Sequence, residues 1–294
     1  MVPGAWVRAL TRVAIIAAMA GELKPLVRGW PHERRNGVDV WRWKSDGGEW
    51  VAACAGAGVD AATRAFAEIE RDGAFDQVIS IGWAGALGEE FKTGKAYWVA
   101  GAIDARTGER FRTQAWEDES VDSHPIDKNK DVARVGHPDL FQSLVGHPDL
   151  SQSLVGHPDD CWLVTSARVA DRQEKRRLAA TYRAGIGVGL VDMEAAGVAR
   201  LAQMRGIAFY CIKGVSDGVR DQLPDFNRFI SANGRFQLAR FVLFVLLRPW
   251  YWLGLMRMGE NSRKAAQAMR ESLLENLDGR GAITRRNGYP NLKR

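Results

Sequence analysis

Residues 191–217 read VDMEAAGVARLAQMRGIAFYCIKGVSD, and this stretch decides the architecture. Met193 to Arg205 has a helical pattern and stops at Gly206, the residue best suited to the left-handed backbone that closes a helix. Ile207-Ala208-Phe209-Tyr210-Cys211-Ile212 follows at once, an apolar run of the length of a buried strand. A helix that feeds directly into a buried strand is part of a βαβ arrangement. Acidic residues stand at both ends of the unit: Asp192 and Glu194 where the helix opens, and Asp217 just beyond the strand. This topology can bring Glu194 and Asp217 to one crevice. Each also fits a plain helix cap, Asp192 and Asp217 especially.

The same alternation runs outward in both directions. Strands are predicted at 13–18, 38–43, 49–54, 77–82, 96–103, 162–165 and 207–215, and helices at 60–72, 171–184, 193–205 and 260–277. Short apolar runs interleaved with helices predict an α/β fold with a parallel or mixed sheet. Two further loops at strand ends carry polar or flexible groups. Met19-Ala20-Gly21-Glu22 follows the first strand, and a carboxylate there can line a ligand crevice or favour a helix dipole. Gly82-Trp83-Ala84-Gly85-Ala86-Leu87-Gly88 follows the strand around Ile79, where glycine lets a backbone approach a sugar or an anion.

Composition narrows the classes. Cys54, Cys161 and Cys211 lie far apart with no CxxC pair, so neither a disulfide framework nor a zinc site is expected, and a reducing, cytoplasmic location is. The net charge of +6 gathers around Arg168 to Arg183 and in the last residues, with no nucleic-acid-binding motif, so nucleic acid is not an expected partner. Arg8 and Arg12 before the apolar run 13–20 outline a short signal peptide. The loop at Glu22 needs that run as a strand, and the strand reading is preferred.

Two segments stand apart. VGHPDLFQSL (135–144) recurs as VGHPDLSQSL (145–154) and opens a third time as VGHPDD (155–160). His137, His147 and His157 admit a metal reading, but a tandem duplication with Pro-Asp turns in an exposed insertion is the simpler one, and no metal or cofactor is expected. FVLFVLLRPWYWLGLM (241–256) is the most apolar stretch, and Arg248-Pro249 breaks it too early for a membrane span. It reads as a helix packed on the core, as a dimer contact, or as a peripheral membrane contact with Trp250, Tyr251 and Trp252 at headgroup level.

With these motifs in view the sequence resembles the purine nucleoside phosphorylase and uridine phosphorylase superfamily, closest to the 5′-methylthioadenosine/S-adenosylhomocysteine nucleosidases. VAIIAAMAGELKPL is similar to the family's first strand and acidic loop, Cys54 to Gly58 to its second glycine turn, and Gly82 to Leu87 to its GxAGGL turn. VDMEAAGVA and Val215-Ser216-Asp217 are similar to its Met-Glu and Ser-Asp pairs. The resemblance covers residues 13 to 230. It implies a three-layer α/β/α sandwich around a mixed, twisted sheet. The organisation expected is a 13–235 domain with the repeat inserted at 135–160, an apolar and helical extension at 236–278, and a disordered tail at 279–294.

The resemblance also implies chemistry: hydrolysis of the N-glycosidic bond of a purine nucleoside, without a cofactor, by a homodimer. Asp217 would protonate the departing base, and Glu22 would orient and activate the attacking water. Glu194 would grip the ribose hydroxyls, with Met193 packed on the sugar and Ser216, Trp83, Ala84, Gly85 and Val169 lining the site. A general acid with a raised pKa suits a poor leaving group. Glu22 favours hydrolysis over phosphorolysis, as does the lack of the arginine that bacterial phosphorylases place before the Gly82 loop.

Three features depart from the pattern. Trp83 replaces a small residue, and its indole would fill the anion subsite or reshape the pocket. The adenine loop, Ser-Gly-Asp then Phe in the family, reads Thr165-Ser166-Ala167-Arg168-Val169, so base recognition falls to the backbone near Val169 and Ala170, or the base differs. Segment 241–256 is similar to the hopanoid-associated phosphorylase-like branch, which acts on a lipid-linked nucleoside. The altered loop and Trp83 also admit a nucleoside-binding protein that does not catalyse, against which Glu22, Glu194 and Asp217 together stand.

Overall fold

The computed structural model describes residues 11–45, 48–114, 161–231 and 234–278. The repeat at 135–160 and the tail at 279–294 lie outside these residues. Strand β1 (Thr11–Ala17) lies between two parallel neighbours, β4 (Gly48–Cys54) and β5 (Gln77–Ala86). Its alternation divides the interior. Ala14 and Ile16 face the layer of α2 (Val59–Glu70) and α4 (Ala195–Arg205), while Val13, Ile15 and Ala17 face α1 (Ala20–Leu23) and α6 (Trp252–Asp278). Both faces of the strand are buried, so its sequence is an unbroken apolar run. This is the signature that a signal peptide imitates.

One sheet contains eleven strands among the described residues. It runs from β2 (His32–Arg35) and β3 (Val38–Ser45) through β4, β1 and β5. It continues through β10 (Val188–Asp192), β9 (Trp162–Thr165) and β7 (Gly101–Asp104) to β8 (Arg110–Arg112). Strand β11 (Ala208–Asp217) leaves this path, pairing parallel with β5 and antiparallel with β6 (Ala96–Trp98). Helices cover both faces, giving the three-layer α/β/α sandwich around a mixed sheet.

Strand β5 is the pivot. Gly85 stands opposite Val191 of β10 on one side and opposite Asp217 of β11 on the other, where the register slips between Val215 and Asp217. The ends of β10 and β11 therefore open on either side of one glycine, next to the carboxyl end of β1. Ligands in open α/β sheets bind at such a place.

Helix boundaries follow local chemistry. Asp171 caps α3 (Arg172–Ile186), accepting from the Glu174 N–H at 2.8 Å. Gly187 and Gly206 end α3 and α4 in the left-handed region, at φ +69° and +65°. The run predicted as one strand at 96–103 divides in two, because Val99 N–H bonds to Cys211 while Ala100 N–H bonds to Cys161. Successive amides turn to different neighbours, and the chain changes partners there. The apolar segment resolves into α5 (Leu238–Leu246), a 3-10 turn at Pro249–Tyr251 and the start of α6. Beyond that start α6 is a full layer of the sandwich: Ala265, Ala266, Met269 and Leu273 are buried, and Ala265 lies so close to Gly214 that a Cβ there would sit 2.8 Å from it.

Candidate active site

The loop after β1 turns into α1 so that Glu22, at the third helical position, folds back over the strand end. Its Oε2 accepts from the N–H groups of Ala18 and Met19, both at 2.8 Å, and its Oε1 from Trp83 N–H at 2.8 Å. Burial pushes the Glu22 carboxyl up, against these three donors, which favour its ionised form. Of roughly four acceptor sites on a carboxylate, one remains for the cavity that Glu22 lines. The close approach depends on Gly82, where an added Cβ would sit 3.0 Å from Glu22 Oε1.

Glu194 stands at the N-cap of α4 without capping it, and Asp192 does that work by accepting from Ala195 N–H at 2.9 Å. Glu194 instead reaches Gly58, accepting from its N–H at 2.7 Å. Gly58 has φ +96°, a backbone that other residues rarely adopt, so the glycine turn after β4 presents this donor. Burial and the neighbouring Asp192 push the Glu194 carboxyl up to about 8.

Beneath both lies Lys213, fully buried, with Nζ 2.9 Å from Asp192 Oδ2 and 3.1 Å from Ser80 Oγ. Burial pulls the ammonium down, but Asp192 and its other anionic neighbours outweigh it, and its pKa stands raised. Sequence reading placed Lys213 in the motif without a task; a lysine inside a buried strand beside a helix-opening aspartate was the available signal.

Asp217 closes β11. Its Oδ1 accepts from Ser216 Oγ at 2.6 Å, and its Oδ2 receives the ammonium of Lys175, which also donates to Gly218 O at 2.7 Å. Lys175 is nearly fully buried and comes from the first turns of α3. Sequence reading missed it, since it stands amid the basic run 172–177 as one cation of several. Gly85 makes room for it: an added Cβ would lie 2.8 Å from Lys175 Cε.

One cavity of about 710 Å³ touches all of the expected residues: Glu22, Trp83, Ala84, Gly85, Val169, Met193, Glu194, Ser216 and Asp217. Its volume falls within the roughly 300–1,000 Å³ common for small-molecule sites. The Trp83 indole is fixed at its rim, with Nε1 donating to Ser262 O at 2.9 Å and the ring packed on Gly21. The backbone of Val169 meets a side chain from a distant part of the chain. Its N–H donates to Asn227 Oδ1 at 2.8 Å and its carbonyl accepts from Asn227 Nδ2 at 3.0 Å, which occupies the amide hydrogen and one of the two acceptor sites, while the residue lines the cavity. No group of three metal-ligating side chains occurs among the described residues.

A family model described as the phosphorylase superfamily matches residues 12–244. A search of curated proteins finds no match. Among solved structures, the chain is similar to a 5′-methylthioadenosine/S-adenosylhomocysteine nucleosidase from Neisseria meningitidis, at 18% identity and TM-score 0.57, covering 91% of this chain and 99% of that one. It is similar to an S-adenosylhomocysteine nucleosidase from Streptococcus pyogenes, at 13% and 0.59, covering 92% and 98%. It is similar also to futalosine hydrolase of Helicobacter pylori, at 16% and 0.55, covering 92% and 98%. These likenesses reach the fold, and the family match spans most of the sequence. The chain belongs to the phosphorylase superfamily.

Proposed function

We propose that the protein hydrolyses the N-glycosidic bond of a purine nucleoside to free base and sugar. The observation that carries this reading is the meeting of Glu22, Glu194 and Asp217, from three strand ends, around one cavity. Cleavage builds positive charge on the ribose and negative charge on the base. Asp217 delivers a proton to the base nitrogen, and Lys175, hydrogen-bonded to its Oδ2, is the group from which that proton passes. Glu194 accepts from the ribose hydroxyls and Met193 packs on the sugar. Glu22 uses its remaining acceptor site to take a proton from the attacking water as the C–O bond forms and the C–N bond breaks.

Water rather than phosphate suits the wall at Trp83. The fixed indole occupies the loop where an anion would need open backbone, and Glu22 offers a base that phosphate does not require. The outer wall, from Phe226, Phe236, Phe241, Leu255 and Met258, fits a nucleoside with an apolar 5′ group. 5′-Methylthioadenosine, named for a neighbouring structure, has one. The apolar lining that these residues supply also favours a second reading, a nucleoside joined to a lipid. A homodimer, as in the family resemblance, belongs to the same proposal.

The test is base release from 5′-methylthioadenosine, S-adenosylhomocysteine and inosine, with and without phosphate. Release independent of phosphate, reduced at least about a hundredfold by Asp217→Asn, is expected. Release only with phosphate would replace hydrolysis by phosphorolysis. Tight nucleoside binding with no release would identify a protein that binds without cleaving.

A further inference from the structure

Helix α5 and the first turns of α6 form an elbow bent by 107°. Its inner side is committed to the protein: Phe241, Leu255 and Met258 line the cavity. Its outer side is apolar and uncovered. Leu243, Leu246, Leu247, Trp250, Leu253 and Met256 are each between 57% and 70% exposed, far more than scattered surface leucines require. The bend is fixed rather than frayed, since Trp252 Nε1 donates to Val245 O at 2.8 Å and Arg248 Nη1 to Phe244 O at 3.1 Å. Between Phe236 and Gly259 the only charged residues are Arg240, Arg248 and Arg257.

We infer that this elbow docks on the surface of an anionic lipid bilayer. An apolar helical face with tryptophan at its edge and arginine as its only charge is the composition of an in-plane membrane contact. Its cations complement anionic headgroups, so the attraction should weaken as salt rises. A second copy of the chain is a poorer occupant. Two-fold pairing would set the same three arginines against themselves, with no acidic residue in 236–259 to meet them. Spanning is excluded by the fold, because the inner face lines the cavity and α6 continues into a layer buried on β11. Docking would bring the outer wall of the cavity, made by the same two helices, to the lipid surface.

The test is co-sedimentation of the full chain with vesicles of phosphatidylcholine alone or in equal parts with phosphatidylglycerol. Binding to the mixed vesicles is expected, weakening as salt rises. A Leu247→Ser, Trp250→Ser, Leu253→Ser variant should lose at least about tenfold in vesicle affinity, these side chains being solvent-facing and outside the cavity. Arg240→Gln with Arg257→Gln should lose the preference for anionic vesicles. Absence of the wild-type protein from both pellets, or equal sedimentation of the triple variant, would overturn the inference. So would a wild-type dimer in ultracentrifugation that the triple variant converts to monomer. Vesicle binding needs no substrate, so its outcome is independent of the nucleosidase reading.

Discussion

Replacing Lys213 by methionine keeps the shape of a fully buried side chain and removes its charge. Around Nζ stand the Asp192 carboxylate at 2.9 Å and, further out, the buried carboxyls of Glu22 and Glu194, on which the ammonium acts attractively. Breaking a buried ion pair by removing one partner costs about 3–5 kcal/mol, because the remaining charge has no water to turn to. That is a large share of the roughly 5–15 kcal/mol that holds a domain folded. The cost should depend on pH. As the solution is made acidic the carboxyls take up protons, the stranded charge disappears, and the variant approaches wild type. Urea unfolding of wild type and Lys213→Met at mildly acidic and mildly alkaline pH measures this directly. Lys213→Met with Asp192→Asn should recover part of the loss, although asparagine offers one acceptor oxygen where Asp192 uses two, to Thr165 Oγ1 and to Ala195 N–H. A loss below about 1 kcal/mol, or one that is flat with pH, would refute Lys213 as the charge that this cluster is built on.

Two further outcomes follow from the site. The Glu194 carboxyl is raised to about 8, so it is protonated at neutral pH and becomes a double acceptor only as the pH rises through that value. KM for the nucleoside should therefore fall as pH rises through about 8, and Glu194→Gln should abolish that dependence. A carboxyl raised on folding contributes stability that is complete below the ordinary carboxyl range and is lost as pH rises through about 8; Glu194→Gln should flatten the stability profile over the same window. Gly82→Ala would set a methyl 3.0 Å from Glu22 Oε1, and the three backbone donors leave that carboxylate little room to yield. We expect kcat to fall about tenfold or more with a stability loss of about 1–3 kcal/mol; an unchanged kcat would separate Glu22 from the chemistry.

The sequence was most legible where a pattern and a local signal coincided. β1, α2, α4 and β11 each pair an apolar or helical rhythm with glycine or acidic punctuation, and each lies within a few residues of its expected place. β10 was missed because Val188–Asp192 has only five residues and merges with the approach to α4. The carboxylates were found because each follows a strand or opens a helix, positions where an acid is either a cap or a ligand group. The lysines were less legible for a physical reason. Lys175 pairs with Asp217, 42 residues away, and Lys213 with Ser80, 133 residues away, pairings that no local pattern records; only the partner that Lys213 finds in Asp192 lies within the same motif. Asn227, which occupies the backbone of Val169, is 58 residues from it and was hidden in the same way.

The balance of these charges orders the site. Glu22, Asp192 and Glu194 share the single ammonium of Lys213, whereas Asp217 has Lys175 to itself. The cluster of three is therefore short of positive charge, and the proton held on Glu194 up to about 8 is the resting remedy. In the proposed reaction the ribose becomes cationic beside the group of carboxyls that is short of positive charge. The negative charge developing on the base is met by the proton that Asp217 delivers and by the Lys175 ammonium paired with that carboxyl. Fixed groups of opposite sign aimed at each developing charge lower a barrier without reorganising, and under the proposed reaction the unequal sharing of two lysines among four carboxylates would act in that way. Gly85, between the ends of β10 and β11, keeps the two halves apart: Val191 leads to Glu194 on one side of it, and Asp217 with Lys175 stands on the other.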